Sequence, residues 1–105
     1  MAGFNRVCRV KDIVPGHIGY AEVDGVRLAI CNAGGEFYAV DDVCSHDGGP
    51  LDQGELDGYN IECPRHGAKF DVRTGRVTAL PAIVPISTYP VQIESDDLLV
   101  DVDGS

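Results

Sequence analysis

The chain has 105 residues, of which 17 are acidic and eight are basic, and its formal net charge is −9. This charge argues against nucleic acid or anionic lipid as a partner, because both need a basic face. The apolar fraction of 44% suits one domain spanning 1–105, and no apolar run is long enough to cross a membrane. Because the N-terminus has no apolar signal segment, we expect a cytoplasmic protein whose four cysteines are metal ligands or free thiols.

Short β-prone runs with turn sequences between them predict strands along the chain. Asp24-Gly25 and Asp57-Gly58 each join two such runs, and this dipeptide is a strong hairpin signal because both central residues must tolerate positive φ. The predicted strands are 17–23, 26–32, 36–41, 54–56, 59–63, 68–72, 76–80, 86–94 and 98–102. With 13 glycines, six prolines and no helical periodicity, the sequence predicts an all-β domain.

Two pairs of candidate metal ligands lie in one segment, about 42–82, which departs from plain hairpin alternation. The pairs are Cys44-Ser-His46 and Cys63-Pro-Arg-His66, with sixteen residues between them. Each pair lies in a loop at one end of the predicted 54–63 hairpin, so folding of that hairpin brings the two pairs face to face. We therefore predict a small metal-binding subdomain at 42–82, set on a larger β framework.

Two kinds of metal centre match this donor set. Zinc accepts two thiolates and two imidazoles in a closed tetrahedron. A C-x-H pair in an extended loop, however, spreads its two side chains, which suits two neighbouring metals better than one. A [2Fe–2S] cluster with thiolates on one iron and imidazoles on the other meets that requirement. The spacing favours the cluster and leaves zinc open.

The two boxes resemble the ligand boxes of Rieske [2Fe–2S] proteins. The sequences around them agree as well, with GGPL after the first box, FDVRTGRV after the second, and LPA in the place of the family's proline loop. The resemblance implies a Rieske fold of stacked antiparallel sheets with a small cluster-binding subdomain. It also implies that Cys44 and Cys63 hold the inner iron, and that His46 and His66 hold the outer iron near the surface.

The residues around the boxes indicate which kind of Rieske protein this chain resembles. Gly49 and Arg65 stand where the Rieske subunits of respiratory complexes have disulfide-bonded cysteines. Ala68 and Phe70 stand where those proteins have Ser and Tyr, whose hydroxyls donate hydrogen bonds to sulfur and stabilise the reduced cluster. The resemblance therefore implies a low potential, towards roughly −150 mV, as in Rieske-type ferredoxins. Such ferredoxins carry single electrons from a flavoprotein reductase to an oxygenase, aromatic-ring dioxygenases being the best-known setting.

The number of histidines argues against a terminal oxygenase. Such an enzyme needs a mononuclear iron site, commonly two histidines and a carboxylate. Of the three histidines in the chain, only His17 remains once the cluster has its ligands, and the sequence has no Gly-rich nucleotide fingerprint. We expect an electron-transfer component rather than an enzyme. The alternatives are a small Rieske subunit of a larger reductase, such as nitrite reductase, and a zinc-stabilised interaction module.

Several residues outside the ligand set also have predicted roles. We expect Cys8 and Cys31 to be buried thiols that pack as small apolar side chains. The expected docking surface lies over the two ligand histidines. Its rim residues are Asp47, Asp52, Arg65 and Lys69, and the expected apolar cover of the cluster is Leu51 with Pro81.

Overall fold

The computed structural model describes residues 3–45 and 48–103, and β-strands dominate these ranges. The strands are β1 (Asn5–Arg9), β2 (Ile18–Val23), β3 (Val26–Ala33), β4 (Glu36–Asp41), β5 (Glu55–Asp57), β6 (Asn60–Glu62), β7 (Lys69–Asp71), β8 (Val77–Ala79), β9 (Thr88–Tyr89), β10 (Val91–Glu94) and β11 (Asp97–Val100). A short 3₁₀ helix, Val10–Asp12, follows β1. No helix in the described ranges has the length and apolar character needed to cross a membrane.

The strands form three antiparallel sheets, so the predicted all-β class is confirmed. We name them the terminal sheet (order β1-β11-β10), the central sheet (β2-β3-β4-β9) and the small sheet (β5-β6-β7-β8). Each strand of the small sheet pairs with its neighbour in the chain, because every connection is a tight hairpin or a short loop.

The central sheet separates two hydrophobic cores, and β3 shows why. Successive side chains of a strand point to opposite faces, so the part of a strand that is covered on both faces has consecutive apolar residues, as β3 has from Leu28 to Cys31. Ala29 and Cys31 face the core shared with the small sheet, whereas Leu28 and Ile30 face the core shared with the terminal sheet. The three sheets are therefore stacked with the central sheet in the middle. The full burial of Cys31 agrees with its predicted role, whereas Cys8, also predicted to be buried, is only half-buried.

The sequence prediction missed one feature of each edge strand of the terminal sheet, β10 and β1. Residues 86–94 were expected to form one strand, but the strand breaks at Pro90, which has no N–H to continue a ladder. β9 therefore pairs with β4, and β10 pairs with β11. The prediction also lacked the pairing of β1 with β11, which comes from the opposite end of the chain. No local turn signal marks that pairing, because the two strands are about ninety residues apart in sequence.

Candidate functional site

The second ligand loop, residues 63–68, closes the hairpin formed by β6 and β7. The last strand pair is Glu62 with Lys69, directly before and after the loop. The N–H of Cys63 then donates to the carbonyl of Ala68 at 2.7 Å, and the N–H of Gly67 donates back to the Cys63 carbonyl at 3.1 Å. Gly67 has φ of 77°, a conformation that glycine adopts without strain.

The first ligand loop, residues 44–49, has the same backbone closure. The N–H of Cys44 donates to the carbonyl of Gly49, and the N–H of Gly48 donates to the Cys44 carbonyl, both at 2.8 Å. Gly48 has φ of 75°. His46, a predicted ligand, lies outside the described residues.

The common closure of the two loops was missed at the sequence level. The boxes differ in spacing, C-x-H against C-x-x-H, so the histidines stand at different positions in the two loops. The signal that would have revealed the likeness is a glycine four residues after each cysteine, Gly48 and Gly67. Each glycine has positive φ and donates its N–H to the carbonyl of its cysteine.

The two loops bring their cysteines into one buried cluster. Cys44 and Cys63 are each 1% exposed, and both belong to the core that also contains Leu51 and Phe70. Neither cysteine forms a disulfide. His66, by contrast, is exposed on the second ligand loop. The thiols therefore lie beneath the loops, and the imidazole of His66 lies at the surface.

The apolar residues predicted around the site are buried or half-buried. Leu51, Ala68 and Phe70 have no exposed surface, and Pro81 is half-buried. In the high-potential members of the Rieske family that the sequence resembles, positions 68 and 70 carry hydroxyl groups. Here the side chains of Ala68 and Phe70 offer only hydrocarbon to this core.

A third segment, residues 80–86, is joined to the first ligand loop. The hydroxyl of Ser45 donates a hydrogen bond to the carbonyl of Val84. At the far end of the segment the N–H of Ile86 donates to the carbonyl of Gly75 at 3.0 Å, and a side chain at position 75 would collide with the Ile86 carbonyl. The segment that contains the proline loop expected at Leu80-Pro81-Ala82 is therefore joined at Val84 to the first ligand loop and at Ile86 to the turn after β7.

Asp42 is a site residue that the sequence analysis missed. Its side chain is buried, and Oδ1 accepts the N–H of Leu51 at 2.8 Å and the N–H of Asp52 at 2.6 Å. Burial, followed by the hydrogen bond with the Asp52 side chain, raises the pKa of Asp42 to about 6. No local pattern distinguishes it from Asp41, the preceding residue in the sequence.

The predicted rim residues have different surroundings. Arg65 is exposed and Asp52 is half-buried, while Asp47 lies outside the described residues. The ammonium of Lys69 is directed at β5 and β6, with Nζ 2.9 Å from Asp57 Oδ2 and 3.8 Å from Glu62 Oε1. The pair with Asp57 lowers the pKa of that carboxyl. Lys69 is therefore engaged within the small sheet.

The donor arrangement can be compared with what each metal centre requires. Within 3–45 and 48–103, no three His, Cys, Asp or Glu side chains gather where a single metal ion could bind them all. A [2Fe–2S] cluster does not require such a group, because the thiolates bind one iron and the imidazoles bind the other. Two buried thiols under loops of matching backbone, with an exposed imidazole on one of them, fit that divided donor set.

Comparison with known proteins gives consistent matches over most of the chain. Residues 3–90 match the family model described as the Rieske [2Fe-2S] domain. The chain is 44% identical over 99 residues to the ferredoxin component of biphenyl 2,3-dioxygenase from Rhodococcus jostii (strain RHA1), covering 94% of this chain and 92% of that protein.

Solved structures match over a similar extent. The Sphingomonas yanoikuyae B1 ferredoxin has a TM-score of 0.89 at 37% identity, covering 94% of this chain and 98% of that one. A chain in a complex of reduced oxygenase and oxidized ferredoxin of carbazole 1,9a-dioxygenase also has a TM-score of 0.89, at 36% identity, covering 93% of this chain and 92% of that one.

Proposed function

Because the chain belongs to the Rieske [2Fe–2S] family, we propose that one [2Fe–2S] cluster binds between its two ligand loops. The proposed ligands are Cys44, His46, Cys63 and His66. The observation that carries this proposal is the pair of buried thiols beneath two loops that close with the same backbone hydrogen bonds. The segment 42–82 then serves as the cluster-binding subdomain, with the central and terminal sheets as its support.

The protein is a single-electron carrier between a flavoprotein reductase and an oxygenase, and it is not itself the enzyme. A relative that is 44% identical is the ferredoxin component of a dioxygenase, and a matching chain occurs in a complex with an oxygenase. When bound, the cluster accepts and returns one electron at a time. The residues of the chain bury the thiols, keep water from the sulfur side and present His66 at the surface.

Two further properties of the carrier concern its reduction potential and its compartment. Ala68 and Phe70 offer no hydroxyl to sulfur, so the potential lies at the low end of the Rieske range, towards roughly −150 mV. All four cysteines, at positions 8, 31, 44 and 63, are without disulfides. A reducing compartment keeps thiols in that state, so we place the carrier in the cytoplasm.

Electron transfer with and without an intact ligand set tests this function. The wild type, H66A and H17A would be purified anaerobically and mixed with a flavoprotein reductase and a ring-hydroxylating oxygenase, and reduction and reoxidation would be followed by visible absorbance. H17A is the matched control because His17 is an exposed histidine outside both ligand loops. We expect wild type and H17A to accept and pass on one electron per chain, and H66A to lose this ability. Equal behaviour of H66A and H17A would contradict the proposed ligand set.

A further inference from the structure

The two ligand loops have the same internal closure, but they are supported differently from outside. The second loop follows directly from the strand pair Glu62 with Lys69, so the ladder of β6 and β7 holds its two ends together. The first loop has no such support in the described chain, because neither 42–45 nor 48–54 belongs to a strand. Another contact must keep the ends of the first loop together.

The side chain of Asp42 provides that contact. It lies two residues before Cys44, and its carboxylate accepts the N–H groups of Leu51 and Asp52 on the far side of the loop. One carboxylate oxygen thus joins the residues before the first ligand loop to the residues after it. The strand pair of Glu62 with Lys69 does the same for the second ligand loop. Hydrogen bonds from N–H groups to an ionised carboxylate are stronger than those between neutral groups.

The backbone of Asp42 is also hydrogen-bonded to the central sheet. Its own N–H donates to the carbonyl of Arg27, on β3, at 3.0 Å. The central sheet therefore anchors the backbone of Asp42 while its side chain reaches across the loop. Leu51, whose N–H donates to that side chain, is packed without exposed surface in the same core as Cys44.

The burial of Asp42 is unusual enough to require a reason. It is the one charged residue among the buried residues of 3–45 and 48–103, with 2% of its surface exposed. A carboxylate removed from water is costly unless hydrogen bonds compensate for the lost hydration. The two N–H groups supply that compensation, and without Asp42 they would themselves lack this acceptor, one in a buried and the other in a half-buried place.

We propose that Asp42 is a positioning residue that holds the first ligand loop closed and so keeps Cys44 in the geometry needed for the cluster. This inference rests on the proposed function, because the loop is held for the sake of its metal ligand. The carboxylate oxygen acts as a hydrogen-bond acceptor, so an amide oxygen at the same position can replace it. A methyl group cannot.

Three variants test this role on the protein as purified. D42A removes the acceptor, D42N replaces the carboxylate oxygen with an amide oxygen, and D57N removes one carboxylate charge from the small sheet. Asp57 is a suitable control because its side chain is 70% exposed and pairs only with Lys69 among the described contacts. For each protein, amide hydrogen exchange at positions 51 and 52, iron release to a chelator and the EPR line shape of the reduced protein would be measured.

The three variants distinguish the loss of the hydrogen-bond acceptor at position 42 from the loss of its negative charge. In D42A both amides exchange at least about tenfold faster, iron is released at least about tenfold faster and the EPR line shape broadens, since a lost hydrogen bond to a charged group corresponds to a tenfold factor or more. D57N stays close to wild type in all three measurements, and D42N departs from it by only a few-fold, because a neutral amide oxygen accepts the same two N–H groups through bonds roughly half as strong. If D42A does not fold, the comparison of D42N with D57N still decides, because a D42N protein that releases iron at least about tenfold faster than D57N would overturn the acceptor role.

Two other outcomes have distinct meanings. Unchanged exchange at positions 51 and 52 in a folded D42A would overturn the positioning role, whatever metal the protein holds. Zinc in the wild-type protein would contradict the proposed function, while the exchange measurement would still test whether Asp42 closes the loop. Failure of the inference and failure of the function are therefore distinguishable.

Discussion

The phenolic hydroxyl of Tyr89 donates a hydrogen bond of 2.6 Å to Oδ1 of Asp41 and so joins β9 to β4. Asp41 is held a second time by the segment that follows the proline loop, because its N–H donates to the carbonyl of Ser87 at 3.0 Å. Burial, followed by the hydrogen bond to Asp41, raises the pKa of Tyr89 from 10.0 to about 12. The chain that follows the proline loop is thereby held to β4 by the side chain of Tyr89 as well as by the pairing of β9 with β4.

Removal of this hydroxyl is expected to weaken the fold. We expect Y89F to lower the free energy of unfolding at neutral pH by about 1 kcal/mol, the usual net value of one hydrogen bond. Because folding raises the pKa of Tyr89, its contribution is fully present below pH 10 and disappears as the pH rises through about 12. Urea denaturation at neutral and alkaline pH measures both effects.

The control for this prediction is Y20F. Tyr20 is an exposed tyrosine on β2 whose hydroxyl contacts Glu22 at 3.2 Å. Its removal should leave the urea midpoint almost unchanged. A Y89F protein as stable as Y20F would show that the bond to Asp41 contributes little to the fold.

The two cysteines outside the ligand loops should differ in reactivity. Cys31 has no exposed surface, and burial raises the pKa of its thiol to about 12, whereas Cys8 is half-buried with a smaller rise in pKa from the same cause. The thiolate is the reactive form, so at pH 8 iodoacetamide should modify Cys8 and leave Cys31 unmodified until the protein is denatured. Peptide mass mapping measures the two sites separately. Modification of Cys31 at the rate of Cys8 in the native protein would refute its place in the core.

A hydroxyl added next to the buried thiols should raise the reduction potential. We expect F70Y to shift the midpoint upward by about 60 mV, because one hydrogen bond to a charged acceptor contributes about 1.5 kcal/mol and about 59 mV corresponds to a tenfold change for one electron. Phe70 shares a core with Cys44 and Cys63, whereas Phe37 packs against the other core. F37Y therefore adds the same group away from the thiols and should leave the midpoint unchanged. Equal midpoints in F70Y and F37Y would contradict the explanation given for the low potential.

Local chemistry made much of the fold predictable. Asp24 and Gly25 were expected to have positive φ, and they have φ of 50° and 81°. The turn predicted at Asp57-Gly58 was wrong by one residue, because Asp57 still pairs with Asn60 and the turn residues are Gly58 and Tyr59. β4 was predicted with its observed bounds, and the turn at Gly34-Gly35 marks its start. The pairing of β1 with β11 was not predicted, because the two strands are distant in sequence and only the tertiary structure brings them together.

The sequence predicted those site residues that form short motifs, but not those whose role depends on contacts between distant parts of the chain. Cys63 and His66 stand out because a thiol and an imidazole occur close together in a short motif. Asp42 does not stand out, since its role depends on the N–H groups of residues nine and ten positions later turning back toward it. Lys69 was expected at a docking rim, but its pairing with Asp57 depends on the strand register, which the sequence does not reveal.

The content of the metal site is the most direct test of the account. Iron, zinc and acid-labile sulfide would be quantified in protein purified without oxygen, together with the EPR spectrum before and after one-electron reduction. The account predicts about two irons and two sulfides per chain, and an EPR signal that appears only on reduction. One zinc per chain without sulfide or a reducible chromophore would contradict it.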